Sequence, residues 1–242
     1  MNLRNIFFSV SLAVSIASCN DLDVPPLNII QDEDVFQSES GITAYMASLY
    51  YDLPIEDFMF NAQRGFKVFP NYPGLAAYTG EMLICWDGMV YESMTGSQLS
   101  AWQYGTIRNI NYFIQEFPKY KEDFPSDQAD TWLGEAYFMR AYNYFAMVKR
   151  YGGIPIVEVV QNYPEQGIEE LKVPRNKERE VYDFIAKDLD MAISLLPEES
   201  PESGRVNKYV AYGLKSRAMV ICRLYRSVWK SSVGWIIGYS GF

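Results

Sequence analysis

This sequence predicts an all-α fold of antiparallel helix pairs with long irregular loops, and three observations predict it. Residues 129–157, ADTWLGEAYFMRAYNYFAMVKRYGGIPIV, carry apolar side chains at helical spacing on two lines. Leu133, Tyr137, Ala141, Phe145 and Val148 form one; Trp132, Ala136, Met139 and Ala146 form the other. Two lines mean burial on more than one side. Four further segments, 40–52, 98–117, 177–196 and 207–226, keep the same period. These segments fall into two antiparallel pairs, 98–117 with 129–150 and 177–196 with 207–226, since no single helix can hide its apolar face alone.

Taken in order, residues 1–18 are a targeting segment. Arg4 gives a positive start and Ile6 to Ile16 an apolar run of eleven residues, the length of a secretory signal core. A membrane span needs about 20 residues. The run ends Ile16-Ala17-Ser18-Cys19, which resembles a bacterial lipobox: an aliphatic residue, two small ones, then the cysteine that takes the lipid. The small residues give the peptidase access to the backbone before Cys19. The alternative is a soluble export signal with a chance cysteine. Several acyl chains on Cys19 give stable anchoring, where one chain is marginal. Residues 19–34 follow as an acidic tether with few large apolar side chains, a composition that does not fold alone.

Residues 40–52 read as the first helix, with Ser40 as its cap and Ile42, Tyr45, Leu49 and Tyr50 as its stripe. Residues 53–97 differ. Gly and Pro recur, periodicity is weak, and aromatic rings are interleaved with short polar side chains. Long irregular segments inside a compact domain are often functional. Sugar rings offer flat apolar faces that stack on aromatics, and hydroxyls that need polar partners. Trp86, Tyr78, Tyr72 and Tyr91 are the candidate ligand-binding residues on that ground. Trp86 leads them, because CWDG sets an indole beside a glycine turn and a carboxylate. For any single ring, core packing is the competing reading.

Residues 98–117 return to helix, with Leu99, Trp102, Ile107, Ile110, Phe113, Ile114 and Phe117 in phase. Asn109 and Asn111 fall inside it, where a buried hydrogen bond offsets their low propensity. The 129–150 helix holds Glu135, Arg140 and Asn143 as the only charged or amide side chains between Trp132 and Val148. Its stop is explicit: Lys149 and Arg150 suit the negative dipole end, Gly152-Gly153 can turn left-handed, and Pro155 cannot continue. Asn176 is the expected cap of 177–196, whose inner face is Val181, Ile185, Leu189, Ile193 and Leu196. Asn207 is the expected cap of the last helix, with Ala211, Leu214, Ala218, Ile221 and Tyr225 inward.

EAYFMRAYNYFAMVKRYGGIPIV, from Glu135 to Val157, closely resembles the core helix and following turn of the SusD/RagB family. WQYGTIRNINYFIQEF and GRVNKYVAYGLKSRAM are similar to the family's neighbouring helices, the second usually written with Thr where Asn207 stands. The acidic residues after Cys19 resemble the surface-export signals of bacteria with Sus-like systems. The resemblance implies tetratricopeptide-like helix pairs, each hiding its apolar face by stacking on the next. It implies a glycan-binding outer-membrane lipoprotein that hands oligosaccharide to a SusC-like TonB-dependent transporter and performs no chemistry. No cofactor or metal is implied. The helical pairs would face the transporter.

The expected organisation is therefore signal 1–18, tether 19–34, helical domain 35–226 and an atypical tail 227–242. That tail, SVWKSSVGWIIGYSGF, carries one charge, and solenoid ends need a polar outer face. Family members run to roughly twice this length, so the tail reads as foreign sequence on a truncated or frameshifted member, or as the start of another helix; the sequence leaves both open.

Composition narrows the function further. The chain has 242 residues, 49% hydrophobic, enough for one substantial core or two small ones. A net charge of −9 makes a poor nucleic-acid binder, since phosphate contacts dominate that affinity. The absence of histidine removes Ser-His-Asp and Cys-His catalysis and every histidine metal site. Cys85 and Cys222 read as ordinary thiols, a disulfide being the lesser option. Glu81, Asp87 and Glu92 could supply a hydrolase pair, which needs a defined gap of about 5–10 Å that irregular sequence does not define. A helical protein-interaction lipoprotein, or a fragment without glycan binding, is the alternative function.

Overall fold

The computed structural model describes residues 35–54, 59–61, 65–67, 101–162, 166–200 and 202–237. Residues 1–42 and residues 43–242 form two compact units. In the first, Phe36 and Ile42 are buried, and the Ser38 hydroxyl accepts from the Gly41 N–H at 3.1 Å. Helix α1 is Glu39–Tyr51. Ser38, not Ser40, caps it, because the helix starts at Glu39, two residues before a Ser40 cap would start it. The stripe itself is Ile42, Met46 and Leu49, with Tyr45 and Tyr50 only half-buried.

Strands β1 (Met59–Asn61) and β2 (Gly65–Lys67) pair antiparallel with Phe60 opposite Phe66. With Leu53 and Pro54, this short ladder is the described part of the irregular 53–97 segment. Among the described residues the rest of the regular structure is helical: α2 Tyr104–Glu116, two 3-10 turns at Phe117–Lys119 and Lys121–Asp123, α3 Ser126–Tyr151, the single turn α4 Ile168–Leu171, α5 Glu178–Leu195 and α6 Lys208–Ile237. The all-α expectation holds.

Contacts fix the pairing. Phe117 meets Trp132 and Asn111 meets Arg140, so α2 runs antiparallel to α3. Arg140 meets Asp188 and Tyr144 meets Phe184, so α3 runs antiparallel to α5. Asp190 pairs with Lys215, and the Lys208 N–H donates to the Pro197 carbonyl, so α5 runs antiparallel to α6. Each expected pair is present, and α3 against α5 joins one pair to the other.

Helix α3 is the centre. From Ala129 to Val148 nearly every side chain is buried, Glu135, Arg140 and Asn143 included. A helix apolar on all sides is stable only with neighbours on all sides. Its end matches the sequence signals. Arg150 donates to the Ala146 carbonyl at 2.6 Å, the Gly152 N–H donates to Val148 at 2.8 Å, and Gly152 sits at φ +68°. Gly153 has a separate reason. A Cβ there would run into the backbone of Asn176 and Glu178, so the chain can pass only as glycine.

Three further expectations need correction. Trp102 does not join the α2 stripe. The helix begins at Tyr104, and Trp102 stands outside it, 54% exposed. Asn176 does not cap α5. Lys177 occupies that position, and the Glu180 carboxylate reaches back to the Lys177 N–H at 3.1 Å. Asn176 instead accepts from the Ile156 N–H at 3.0 Å and donates to Glu180, tying the loop after α3 to the start of α5. Helix α6 does not stop near Arg226 but continues to Ile237. Asn207 caps it as expected, accepting from the Val210 N–H at 3.0 Å. Leu99 and the side chain of Tyr225 lie outside the described residues.

Candidate functional site

Two buried ion pairs on α3 set the frame. Arg140 donates from Nε and Nη2 to both oxygens of Asp188, at 2.7 and 2.8 Å, and from Nη1 to Asn111 Oδ1 at 2.9 Å. Its guanidinium also lies 5.4 Å from the Tyr137 ring and 5.2 Å from the Phe184 ring. Burial pushes the Asp188 carboxyl up, and Arg140 opposes that shift. Glu135 is fully buried and takes a two-pronged grip from Arg205. Burial raises its carboxyl against the pull of Arg205. Tyr50 sits beside it and accepts from the Val206 N–H at 3.1 Å. These groups answer each other inside the helical stack and leave no face for a ligand, so they are structural clamps.

The same buried amides and hydroxyls hold the loop after α3. The Val157 carbonyl accepts from Asn111 Nδ2 at 2.7 Å, and the Val157 N–H donates to the Tyr144 hydroxyl at 2.8 Å. Asn111 thus makes the buried hydrogen bonds expected of it. Asn109 is exposed and serves through its carbonyl, which accepts from Tyr45 at 2.8 Å.

The loop and the adjoining helix ends carry the described surface with recognisable chemistry. Trp102 lies 5.0 Å from Tyr104 and 5.2 Å, edge to face, from Tyr151. Both tyrosine hydroxyls are pinned to backbone. Tyr104 donates to the Pro155 carbonyl at 2.6 Å, and Tyr151 accepts from the Ala101 N–H at 3.0 Å. Arg175 grips the same corner, donating to the Tyr151 carbonyl at 2.7 Å and to the Gly153 carbonyl, while staying exposed. Burial pushes the Tyr104 hydroxyl up to about 12, against the nearby Arg175 charge. The cluster can stack and can donate hydrogen bonds; it contains no nucleophile and no acid–base pair. Sequence reasoning placed Trp102 in the core. The periodicity carries no signal against that, because Thr106, four residues on, is buried in α2; only the helix start at Tyr104 puts Trp102 outside it.

The residues singled out from the sequence, Trp86, Tyr78, Tyr72 and Tyr91 for ligand and Cys19 for lipid, lie outside the described residues, as do Cys85, Glu81, Asp87 and Glu92. Among the described residues no group of His, Cys, Asp and Glu could hold a metal ion, and no helix is long and apolar enough to cross a membrane.

Tyr144, buried, and Tyr50 and Tyr104, half-buried, make alkaline stability a test of this packing. Burial raises Tyr50, Tyr104 and Tyr144 above the ordinary tyrosine value of about 10. The folded chain then keeps protons that the unfolded chain releases. Stability is therefore unaffected below about pH 10, falls as pH rises through about 12, and continues to fall above it. Urea midpoints between pH 8 and about 12 are expected to fall only over the upper part of that range, and less so for Tyr104→Phe. A midpoint independent of pH would contradict the burial.

Residues 22–220 match the SusD-like family described as starch-binding and associating with the outer membrane. A SusD-like protein of Bacteroides ovatus is 26% identical over 231 residues, 90% of this chain and 39% of that relative. The crystal structure of a SusD-like protein of Bacteroides fragilis is similar with a TM-score of 0.58 and 27% identity, over 85% of this chain and 39% of that one. A SusD-like carbohydrate binding protein of the same species shares the fold at a TM-score of 0.54 and 19% identity, over 80% and 39%. The chain thus spans well under half the length of these relatives.

Proposed function

The chain belongs to the SusD-like family of starch-binding, outer-membrane-associated proteins, and from that premise we propose that it binds glycan at the cell surface and passes it to a SusC-like TonB-dependent transporter. The family match over residues 22–220 carries this reading. A signal at 1–18, lipid on Cys19 and an acidic tether at 19–34 would hang the helical domain, 35–226, from the outer membrane. The helix pairs α2–α3 and α5–α6 would meet the transporter. Binding is by stacking and hydrogen bonding, with no bond made or broken, in keeping with a chain that has no histidine.

Trp86, with Tyr72, Tyr78 and Tyr91, is proposed as the principal glycan contact. A flat indole among short polar side chains suits the apolar face and the hydroxyls of a pyranose. The test uses the protein from residue 20 onward against immobilised amylopectin, laminarin, xylan and galactan. Wild type is expected to be retarded by at least one of them, and Trp86→Ala to lose about tenfold in affinity, or about 1.4 kcal/mol. Equal binding by Trp86→Ala would remove that residue from the site. A silent panel combined with capture of a barrel transporter from outer membranes would favour a protein-interaction lipoprotein instead.

A further inference from the structure

We propose that Trp102, mounted on Tyr104 and Tyr151 and flanked by Arg175, is a second carbohydrate-stacking surface that takes one pyranose ring of a glycan chain. The inference rests on the glycan-binding reading above and adds a subsite to it.

What sets Trp102 apart from other exposed apolar residues is its mount. It is 54% exposed, yet two aromatic rings stand 5.0 and 5.2 Å from it. Neither mounting ring is free to turn away, because each hydroxyl is committed to a backbone partner, Pro155 for Tyr104 and Ala101 for Tyr151. An exposed indole on a rigid base has already lost the side-chain freedom that binding would otherwise take from it. Arg175 is held in the same way by the carbonyls of Tyr151 and Gly153, so a planar donor stands at the edge of the aromatic cluster. A flat apolar face beside a fixed polar group is what a pyranose recognises: its C–H face needs the ring, and its hydroxyls need the donor. The parts come from three separate stretches of chain, 101–104, 151–153 and 175, and the fold brings them together.

The experiment combines residue-resolved oxidation with binding. The protein from residue 20 onward is exposed to hydroxyl radicals with and without the polysaccharide of the panel that it binds, and Trp102 oxidation is read by peptide mass spectrometry. Oxidation is expected to be high in the free protein and to fall at least about threefold with glycan, and Trp102→Ala to weaken binding about tenfold. Trp102→Phe, which keeps a smaller ring on the same mount, is expected to fall between the two. Should Trp102→Ala fail to fold, the wild-type oxidation and the Phe variant decide. Low oxidation of Trp102 in the free protein would mean that chain already covers it, and would overturn the proposal. Unchanged oxidation on adding a glycan that does bind, together with wild-type affinity in both variants, would overturn it and leave the glycan-binding reading standing. Failure to bind any member of the panel would overturn both.

Discussion

Arg140→Met is expected to destabilise the helical stack by about 3–5 kcal/mol, the typical cost of leaving one buried charge without its partner. Total stabilities lie near 5–15 kcal/mol, so the variant should be close to unfolding at ordinary temperature. Three interactions go at once: both hydrogen bonds to Asp188 and the one to Asn111. The side chain of Asp188 is 1% exposed and cannot turn to water. Burial alone already raises its carboxyl, and Arg140 is the group that opposes the rise. Without it, the folded variant holds a proton on Asp188 that the unfolded chain releases above its ordinary value of about 4. The variant's stability should then be highest at acid pH and fall as pH rises through the raised value of Asp188. Its deficit against wild type should be smaller near pH 4 than at pH 7. Replacing both partners, Arg140→Met with Asp188→Leu, should restore most of the loss, because an apolar pair of similar volume carries no desolvation cost. Urea unfolding of the four proteins of the cycle gives the coupling directly. A single-variant loss below about 1 kcal/mol would mean that water reaches Asp188.

Trp132→Ala is expected to cost about 3–5 kcal/mol, as large-to-small changes in tight cores do. Trp132 is 2% exposed and receives two rings edge-on, Phe117 at 5.8 Å and Phe124 at 5.3 Å. Phe117 in turn stacks on Phe113 at 4.9 Å, and Phe113 on Tyr45 at 5.8 Å. The cavity would therefore open at the crossing of α2 and α3, under a chain of rings that reaches α1. Partial collapse around it is limited, because aromatic rings cannot fold inward as aliphatic chains do. Trp132→Phe keeps one ring in the space and should cost less than half as much. Both are read from urea midpoints. Equal losses for Ala and Phe would show that the indole N–H, not the ring volume, holds the site.

Local signals made most of the helices legible. The apolar period and the Lys149-Arg150-Gly152 stop placed α3 to within a few residues, and Asn207 was recognisable as a cap because its acceptor lies three residues from the N–H it serves. Ser40 and Asn176 were misassigned for a related reason. At α1 two serines, Ser38 and Ser40, stand near the helix start, and only the backbone path decides which one faces the free N–H groups; at α5 the loop after α3 takes the Asn176 side chain, through the Ile156 N–H, before it can serve the helix. Trp102 was misplaced because an apolar residue next to a helical stripe looks like part of it until the first helical residue is known.

By itself, the sequence determined that Glu135, Arg140 and Asn143 sit on a helix with no solvent face, and so that they needed partners. Only the tertiary structure decided which partners. Asp188 lies 48 residues from Arg140, and Arg205 lies 70 from Glu135. Helix periodicity is a property of residues three and four apart and is written along the chain. A buried charge is answered by whichever opposite charge the packing of separate helices delivers to it, and that follows from the stacking of α3 on α5 and from the path of the chain into α6. The surface at Trp102 has the same origin, because its tyrosines and Arg175 meet only where the start of α2, the end of α3 and the segment leading into α5 are packed together.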